Sequence, residues 1–424
     1  MPAPLNVIII GAGLAGLLSA RVLREHHHVT VLERLSGSHE LGAGINISPA
    51  GNRILEEFGF DQERAKSIVA CRSKIFDRHH NIVQELDMTD LVAAAGSEWR
   101  LNHRGNLWVE LHRLATAPSE ELGISGSPAK IFWEVDVVDV DVEAGRVRLQ
   151  DGTELHGDLI VGADGIRSMV RPLVVGDLAF QSARPSGASA FRFTLPAKAV
   201  REAVGEIRQM DGQEPSELNL HLALDDTSRS IVTYPCRGFE LLNCVCIAPD
   251  SLIRAEVTES WSAKGRLEDL LETFGDFGTF CQSLLKQAEN IKLWQLRDQD
   301  PLPTYIKGRT VLVGDAAHAM TPHQAQGGTQ AMEDAEAFRL FNQEGVSRDS
   351  VPSILKDFDR VRRPRASMIQ NTSRQSLDRR TAGSVYKNVL YNWVYPGVFE
   401  CLRRLDAGEE MVQIPEIKLE VELK

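Results

Sequence analysis

The sequence predicts an α/β chain in which a dinucleotide-binding βαβ unit carries a second, antiparallel-sheet domain and a C-terminal helical region. Three observations predict it: a glycine loop at Gly11–Gly16 between an apolar strand and a helix, a second strand-to-helix crossing at "RTVLVGDAAHAMTPHQAQGGTQAMEDAEAFRLF", and a run of period-two segments between them. The 424 residues suffice for two domains. Apolar residues at 43% and charged residues at 25% are those of an ordinary soluble globular chain. The net charge of −12 argues against a broad surface for nucleic acid, which needs a basic face.

The first element is "NVIIIGAGLAGLLSARVLREHHHVTVLER", a βαβ unit in miniature. Val7–Ile10 are apolar throughout, as a central parallel strand requires. In G-x-G-x-x-G, Gly11 permits the tight turn, Gly13 lets backbone approach a pyrophosphate, and Gly16, next to Ala15, lets helix pack on strand. Glu33 ends the second strand, followed by Arg34; an acid there accepts hydrogen bonds from a ribose 2′-hydroxyl and repels a 2′-phosphate. The loop implies a bound adenine dinucleotide without distinguishing NAD from FAD.

The next segment, "LGAGINISPAGNRILEEFGF", sets Gly42, Gly44 and Pro49 before a helix. Arg104 stands at the entry of an amphipathic helix, either free to meet a phosphate or flavin oxygen or simply at the surface. "VRLQDGTEL" is a hairpin on Asp151-Gly152, and "DLIVGADGIRS" is a buried strand ending at Asp164, Gly165 and Arg167. Six scattered cysteines lack a CxxC pair and fit a reducing, cytoplasmic compartment; Cys244 and Cys246 share one strand face as packing residues. His26–His28 and the pair His79 and His80 are expected to be exposed imidazoles rather than metal ligands, and no metal site is expected. No segment is long and unbroken enough to span a bilayer.

Taken in order, the glycine loop with Glu33, "GADGIRS", "GDAAHAMTP…QGG…AMEDA" and "FDRVRRPRASMIQNTSR" resemble a group A flavin monooxygenase of the para-hydroxybenzoate hydroxylase fold, salicylate hydroxylase-like branch, over roughly residues 5 to 375. The resemblance implies FAD in the dinucleotide site, with NADPH or NADH as a transient co-substrate. It implies that Glu33 holds the adenosine ribose, that Arg104 helps hold FAD, that Asp164 and Gly165 form the "DG" motif, and that Asp315 bonds the ribityl hydroxyls. Pro322 then stiffens the loop beside the isoalloxazine ring, and Gly327 and Gly328 aim main-chain N–H groups at its pyrimidine edge, where they favour negative charge. The loop at Gly42–Ile45 needs room for a moving flavin. This chain departs from the family around "AQGG", where Thr329 stands in place of a common Asn and is expected to cap the helix. His318 is expected to be scaffolding rather than a general base.

By the same resemblance, residues 1–175 open the FAD-binding domain, with an insertion near 73–99 that joins the substrate sheet. Residues 176–290 form that sheet, 291–345 return to the FAD-binding domain, and 346–424 form the C-terminal helices and tail. "ASAFRFTLP", "ELNLHLALDD", "RSIVTYPCRG" and "ELLNCVCIA" are its strands. Arg192 and Tyr234 are the candidates for gripping substrate, the first by charge-assisted bonds and the second by its hydroxyl; His221 is the lesser alternative. The arginines at Arg360, Arg362, Arg363 and Arg365 either mark nucleic acid or belong to a helix near the flavin domain; the acidic chain favours the helix. The expected activity is hydroxylation of a small phenolic or aromatic molecule with O2 through a C4a-hydroperoxyflavin, in a monomer or homodimer. Epoxidation or hydroxylation of a non-aromatic scaffold, or a flavin-binding interaction protein without turnover, are the alternatives.

Overall fold

A computed structural model describes residues 4–37, 42–254, 264–374, 382–414 and 421–423 of the chain. The strand Asn6–Ile10 lies at the centre of a six-stranded sheet, between Leu159–Gly162 and His28–Leu32 and parallel to both. Thr310–Leu312 continues the parallel order beyond Leu159–Gly162, and Lys130–Phe132 beyond His28–Leu32. Both faces of Val7–Ile10 are covered, which is why no polar residue interrupts that stretch. Val7 and Ile9 pack among the helices, whereas Ile8 and Ile10 meet Val140 and Val147 of a small three-stranded sheet. The hairpin of that sheet turns at Gly152, with φ +88°, where the sequence places Asp151-Gly152.

The helix Leu14–Leu23 is buried along its whole length and packs on Arg104–Thr116 and Gly327–Ala337. Its approach to the sheet depends on Gly16, where a Cβ would lie 2.1 Å from the Gly11 carbonyl oxygen. The chain thus brings the first glycine loop, the Arg104 helix and the second crossing into one layer.

A second sheet forms the other half of the molecule. Its order is Lys292–Asp298, Arg184–Pro196, Leu241–Pro249, Ser230–Cys236, Ser216–Leu222, Ile68–Asp77, Ile82–Asp87 and Val421–Leu423. The four strands read from the middle segment are all present, and the N-terminal segment joins them by parallel pairing of Ser216–Leu222 with Ile68–Asp77. Gly44–Ile47 and Trp99–His103 pair with each other and tie this sheet to the glycine-loop half. Cys244 and Cys246 face one side of their strand within a closed apolar cluster, and burial pushes both thiols above their ordinary range.

The C-terminal arginines belong to the helix Val351–Ser373. Arg362 and Arg365 are fully buried and close on Glu333 and Asp334 of Gly327–Ala337, while Arg360 and Arg363 pair at the surface with Asp357 and Asp359. Three histidine expectations are corrected. His27 is buried, Nδ1 accepting the Leu5 N–H at 3.2 Å and Nε2 donating to the Phe341 carbonyl at 2.9 Å. His80 is stacked between Phe76 and Phe280, with ring centroids 4.5 and 3.8 Å away. His221 joins that stack, 2.8 Å from His80, on the sheet face opposite the cavity described below.

Gly16→Ala is expected to destabilise the fold by about 1–3 kcal/mol through overpacking against Gly11, despite alanine's better helix propensity. Urea unfolding checks this, and an unchanged midpoint would show that the loop can relax.

Candidate active site

Between the two halves lies a cavity of about 1000 Å³. Gly13, Ala15, Gly44, Arg104, Gly165 and Asp315 line it from the dinucleotide side, with Pro322, Gly327 and Gly328. Arg192 and Tyr234 line it from the second sheet. Gly11, Gly16, Glu33, Arg34 and Asp164 are not on its wall.

Gly11 takes φ +108°, and a Cβ there would lie 2.4 Å from the Ala163 carbonyl oxygen. At Gly13 a Cβ would meet nothing within 4 Å, so the backbone at the start of Leu14–Leu23 is open to the cavity. Glu33 braces this turn: Oε2 accepts the Ala12 N–H and Oε1 the Leu35 N–H, both at 2.8 Å. Trp108 Nε1 donates to the Ala12 carbonyl at 2.8 Å. Arg34 is exposed beside the turn. Asp164 is likewise spent within its own loop, accepting Ser168 Oγ–H at 2.6 Å and the Met169 N–H at 2.8 Å ahead of the helix Val170–Val175. Burial raises its carboxyl despite these bonds.

The second crossing is held from beneath. Asp334 Oδ2 accepts the Gly314 N–H at 2.8 Å and lies 2.6 Å from His318 Nε2, so His318 is scaffolding in this arrangement. Arg171 Nη2 donates to the Asp315 carbonyl at 2.8 Å. The Asp315 carboxylate itself has no hydrogen-bond partner among the described residues, and neither has the Arg104 guanidinium. Burial pulls Arg104 below its ordinary pKa, and Asp315 opposes that shift. A carboxylate and a guanidinium, both half-buried on the cavity wall, therefore present unsatisfied polar groups to a ligand there.

Gly327 and Gly328 open the helix Gly327–Ala337, whose first N–H groups have no partner within the helix. A Cβ on Gly328 would lie 2.9 Å from Ile45 Cδ1, so the close approach needs glycine. Thr329 does not cap this helix. Its Oγ1 lies 3.1 Å from Ser48 Oγ and 3.3 Å from the Ser48 N–H, fastening the helix to the segment before Pro49–Glu57. The reason is position: Gln326 is the cap, leaving Thr329 inside the first turn.

On the second sheet, Arg192 lays its guanidinium over Trp294, with 4.6 Å from Cζ to the ring centroid. Its Nε is buried without a partner among the described residues, and burial lowers its pKa. Tyr234 is buried except towards the cavity, its hydroxyl has no partner among the described residues, and burial pushes the phenol above its ordinary range. It is therefore a protonated donor at neutral pH. Sequence reasoning missed Asn243, whose Oδ1 accepts the Gly44 N–H at 2.7 Å. A Cβ at residue 44 would lie 2.5 Å from Asn243 Cγ and 2.6 Å from Tyr234 Cε2. The Gly42–Ile45 segment, expected to need room, is instead tied to the second sheet through Gly44. Trp294 was missed as well: "KLWQLRD" does not alternate, and Trp294 lines the cavity together with Gln295, Leu296 and Arg297.

A family model described as "FAD binding domain" matches residues 4–373, and the chain belongs to that family. It is a flavoprotein monooxygenase with FAD as cofactor. Among curated relatives, FAD-dependent monooxygenase cfoG of Aspergillus candidus is 32% identical, covering 88% of this chain and 86% of its own. Hispidin-3-hydroxylase of Neonothopanus nambi is 32% identical, covering 86% of each. A salicylate hydroxylase of Pseudomonas putida is 30% identical, covering 87% of this chain and 84% of its own. Among solved structures, a salicylate hydroxylase substrate complex superposes with a TM-score of 0.69 at 26% identity, covering 96% of this chain and 93% of that one. The fold is thus that of the para-hydroxybenzoate hydroxylase type.

The residues present fit FAD: open backbone at Gly13 and, without hydrogen-bond partners among the described residues, the Arg104 cation, the Asp315 carboxylate and the N–H groups of Gly327 and Gly328. No described helix is long and apolar enough to cross a membrane. Asp315→Ala is expected to weaken FAD binding by about 1.5–3 kcal/mol, the value of a charge-assisted hydrogen bond. Reconstitution of the apoprotein followed by flavin fluorescence checks it; an unchanged dissociation constant would remove Asp315 from the cofactor's contacts.

Proposed function

We propose that this flavoprotein hydroxylates a phenolic aromatic molecule, consuming reduced nicotinamide cofactor and O2. The observation that carries the reading is the pair Arg192 and Tyr234, two donors without a hydrogen-bond partner among the described residues, set among Leu218, Leu220, Val245 and Ile247 on the cavity wall that faces the dinucleotide loops. Several relatives are named as hydroxylases of hispidin, salicylate or 3-hydroxybenzoate, which supports a phenolic acceptor.

Bound FAD supplies hydride acceptance and oxygen activation. Gly13, Arg104, Asp315 and the N–H groups of Gly327 and Gly328 hold and orient it. Arg192 draws a phenolate or carboxylate oxygen to the second sheet. Its stacking on Trp294 fixes the plane of the guanidinium, so the bonds to that oxygen are pre-oriented. Tyr234, held protonated, donates to an oxygen of the substrate. The positive charge of Arg192 favours the ionised phenol, the more electron-rich ring. Leu218, Leu220, Val245 and Ile247 line the same wall and exclude water from it. Pro322 closes the dinucleotide side of the chamber.

A panel of phenols assayed for substrate-dependent oxidation of NADH and NADPH, with product mass read for one added oxygen, tests the reading. Arg192→Leu is expected to lower kcat/KM by roughly a hundredfold, about 2.7 kcal/mol, with FAD content unchanged. Absence of any oxygenated phenol in the wild-type enzyme, or full activity in Arg192→Leu, would overturn it.

A further inference from the structure

The cavity does not end at Arg192 and Tyr234. Beyond the strand of Tyr234 its wall continues across three neighbours: Leu218 and Leu220 on Ser216–Leu222, Ser73 and Ile75 on Ile68–Asp77, and Gln84 and Leu86 on Ile82–Asp87. At about 4.8 Å between strands, this annex reaches roughly 14 Å past Tyr234. None of the glycine-loop, Arg104 or Asp315 elements contributes to these strands, so the annex adjoins the cofactor's share of the cavity without belonging to it.

Two features make the annex a built space. Its lining follows the strand alternation on Ser216–Leu222 and Ile68–Asp77, and on Ile82–Asp87 Val83 joins Gln84 and Leu86. Asn219 and His221 turn to the opposite face, where His221 stacks on Phe76 and His80, so the apolar face has a fixed register. Val389 and Trp393 of the helix Ala382–Trp393 line the same space, packed in one apolar cluster with Leu218, Leu220 and Leu86, and the Trp393 ring lies 5.4 Å from that of Trp99. The far end is not wholly apolar. The side chains of Ser73 and Gln84 line it and have no hydrogen-bond partner among the described residues.

A lone aromatic ring at Arg192 leaves this space unfilled. We infer that the acceptor is elongated: a phenolic ring held at Arg192 and Tyr234 carries an apolar arm that runs along Ser216–Leu222 and Ala382–Trp393 and ends in a hydrogen-bonding group at Ser73 and Gln84. The inference rests on the phenolic reading of the site and adds the shape and polarity of the rest of the molecule.

Equilibrium binding of para-alkylphenols from methyl to octyl to the FAD-loaded protein, followed by calorimetry and by the flavin absorbance change without nicotinamide cofactor, tests it. Affinity is expected to rise about threefold per methylene as the arm enters the annex. Leu86→Trp and, as a milder second variant, Leu220→Phe fill the annex and are expected to reduce the octyl-to-methyl affinity ratio by at least about tenfold. FAD absorbance and melting temperature establish that each variant is folded. A flat series in the wild type, or variants that weaken every member equally, would overturn the inference. A rising series that the variants flatten, with no member oxygenated in the presence of NADH or NADPH, would leave the annex standing and remove the proposed hydroxylation instead.

Discussion

Two carboxylates and two guanidiniums buried beneath the second crossing hold the molecule's working parts in register. Each charge alone would cost several kcal/mol to bury. Arg362 meets Glu333 at 2.5 Å and Asp334 at 2.9 Å, and Arg365 meets Glu333 at 2.6 Å. Burial by itself would raise both acids; the arginines and His318 more than reverse that and keep Glu333 and Asp334 below the ordinary carboxylate range. Asp334 then passes this order upward through the Gly314 N–H and His318. The loop carrying Asp315 and Pro322 is thereby fixed without any of the four charged groups touching the cavity.

The same economy governs the other half of the site. Glu33 and Asp164 hold their own loops in shape, leaving backbone and the Arg104 and Asp315 side chains, which have no hydrogen-bond partner among the described residues, to face the cavity. Asn243 and Tyr234 press against Gly44, so the sheet that carries Arg192 is docked to the strand bordering the cofactor's side. The two walls of the cavity are consequently one mechanical unit, joined at a position where only glycine fits.

The βαβ unit was legible because its signals are contiguous: an apolar strand, three glycines and an acid within about thirty residues. The four middle strands were legible from alternation, and Cys244 with Cys246 from the same rule. Other features depend on register between remote strands. That Asn243 meets Gly44, or that Trp294 underlies Arg192, follows from pairings no local pattern announces. His27 and His80 were misjudged for a related reason. Their neighbours Phe341 and Phe280 arrive from far along the chain, and a polar cluster at a turn does not reveal what packs over it. Arg362 and Arg365 differ from Arg360 and Arg363 only by helical phase, and the acids in "AMEDA" show which phase is buried.

The most direct test of this account is the affinity of apoprotein for FAD in Asp334→Asn, a change of charge with little change of size at a group outside the cavity. If the buried cluster positions the Gly314–Gly328 loop, FAD binding weakens by about tenfold or more, roughly 1.4 kcal/mol, together with a lower melting temperature. A dissociation constant equal to that of the wild type would show that the loop holds its geometry without the cluster, and would contradict the account at its base.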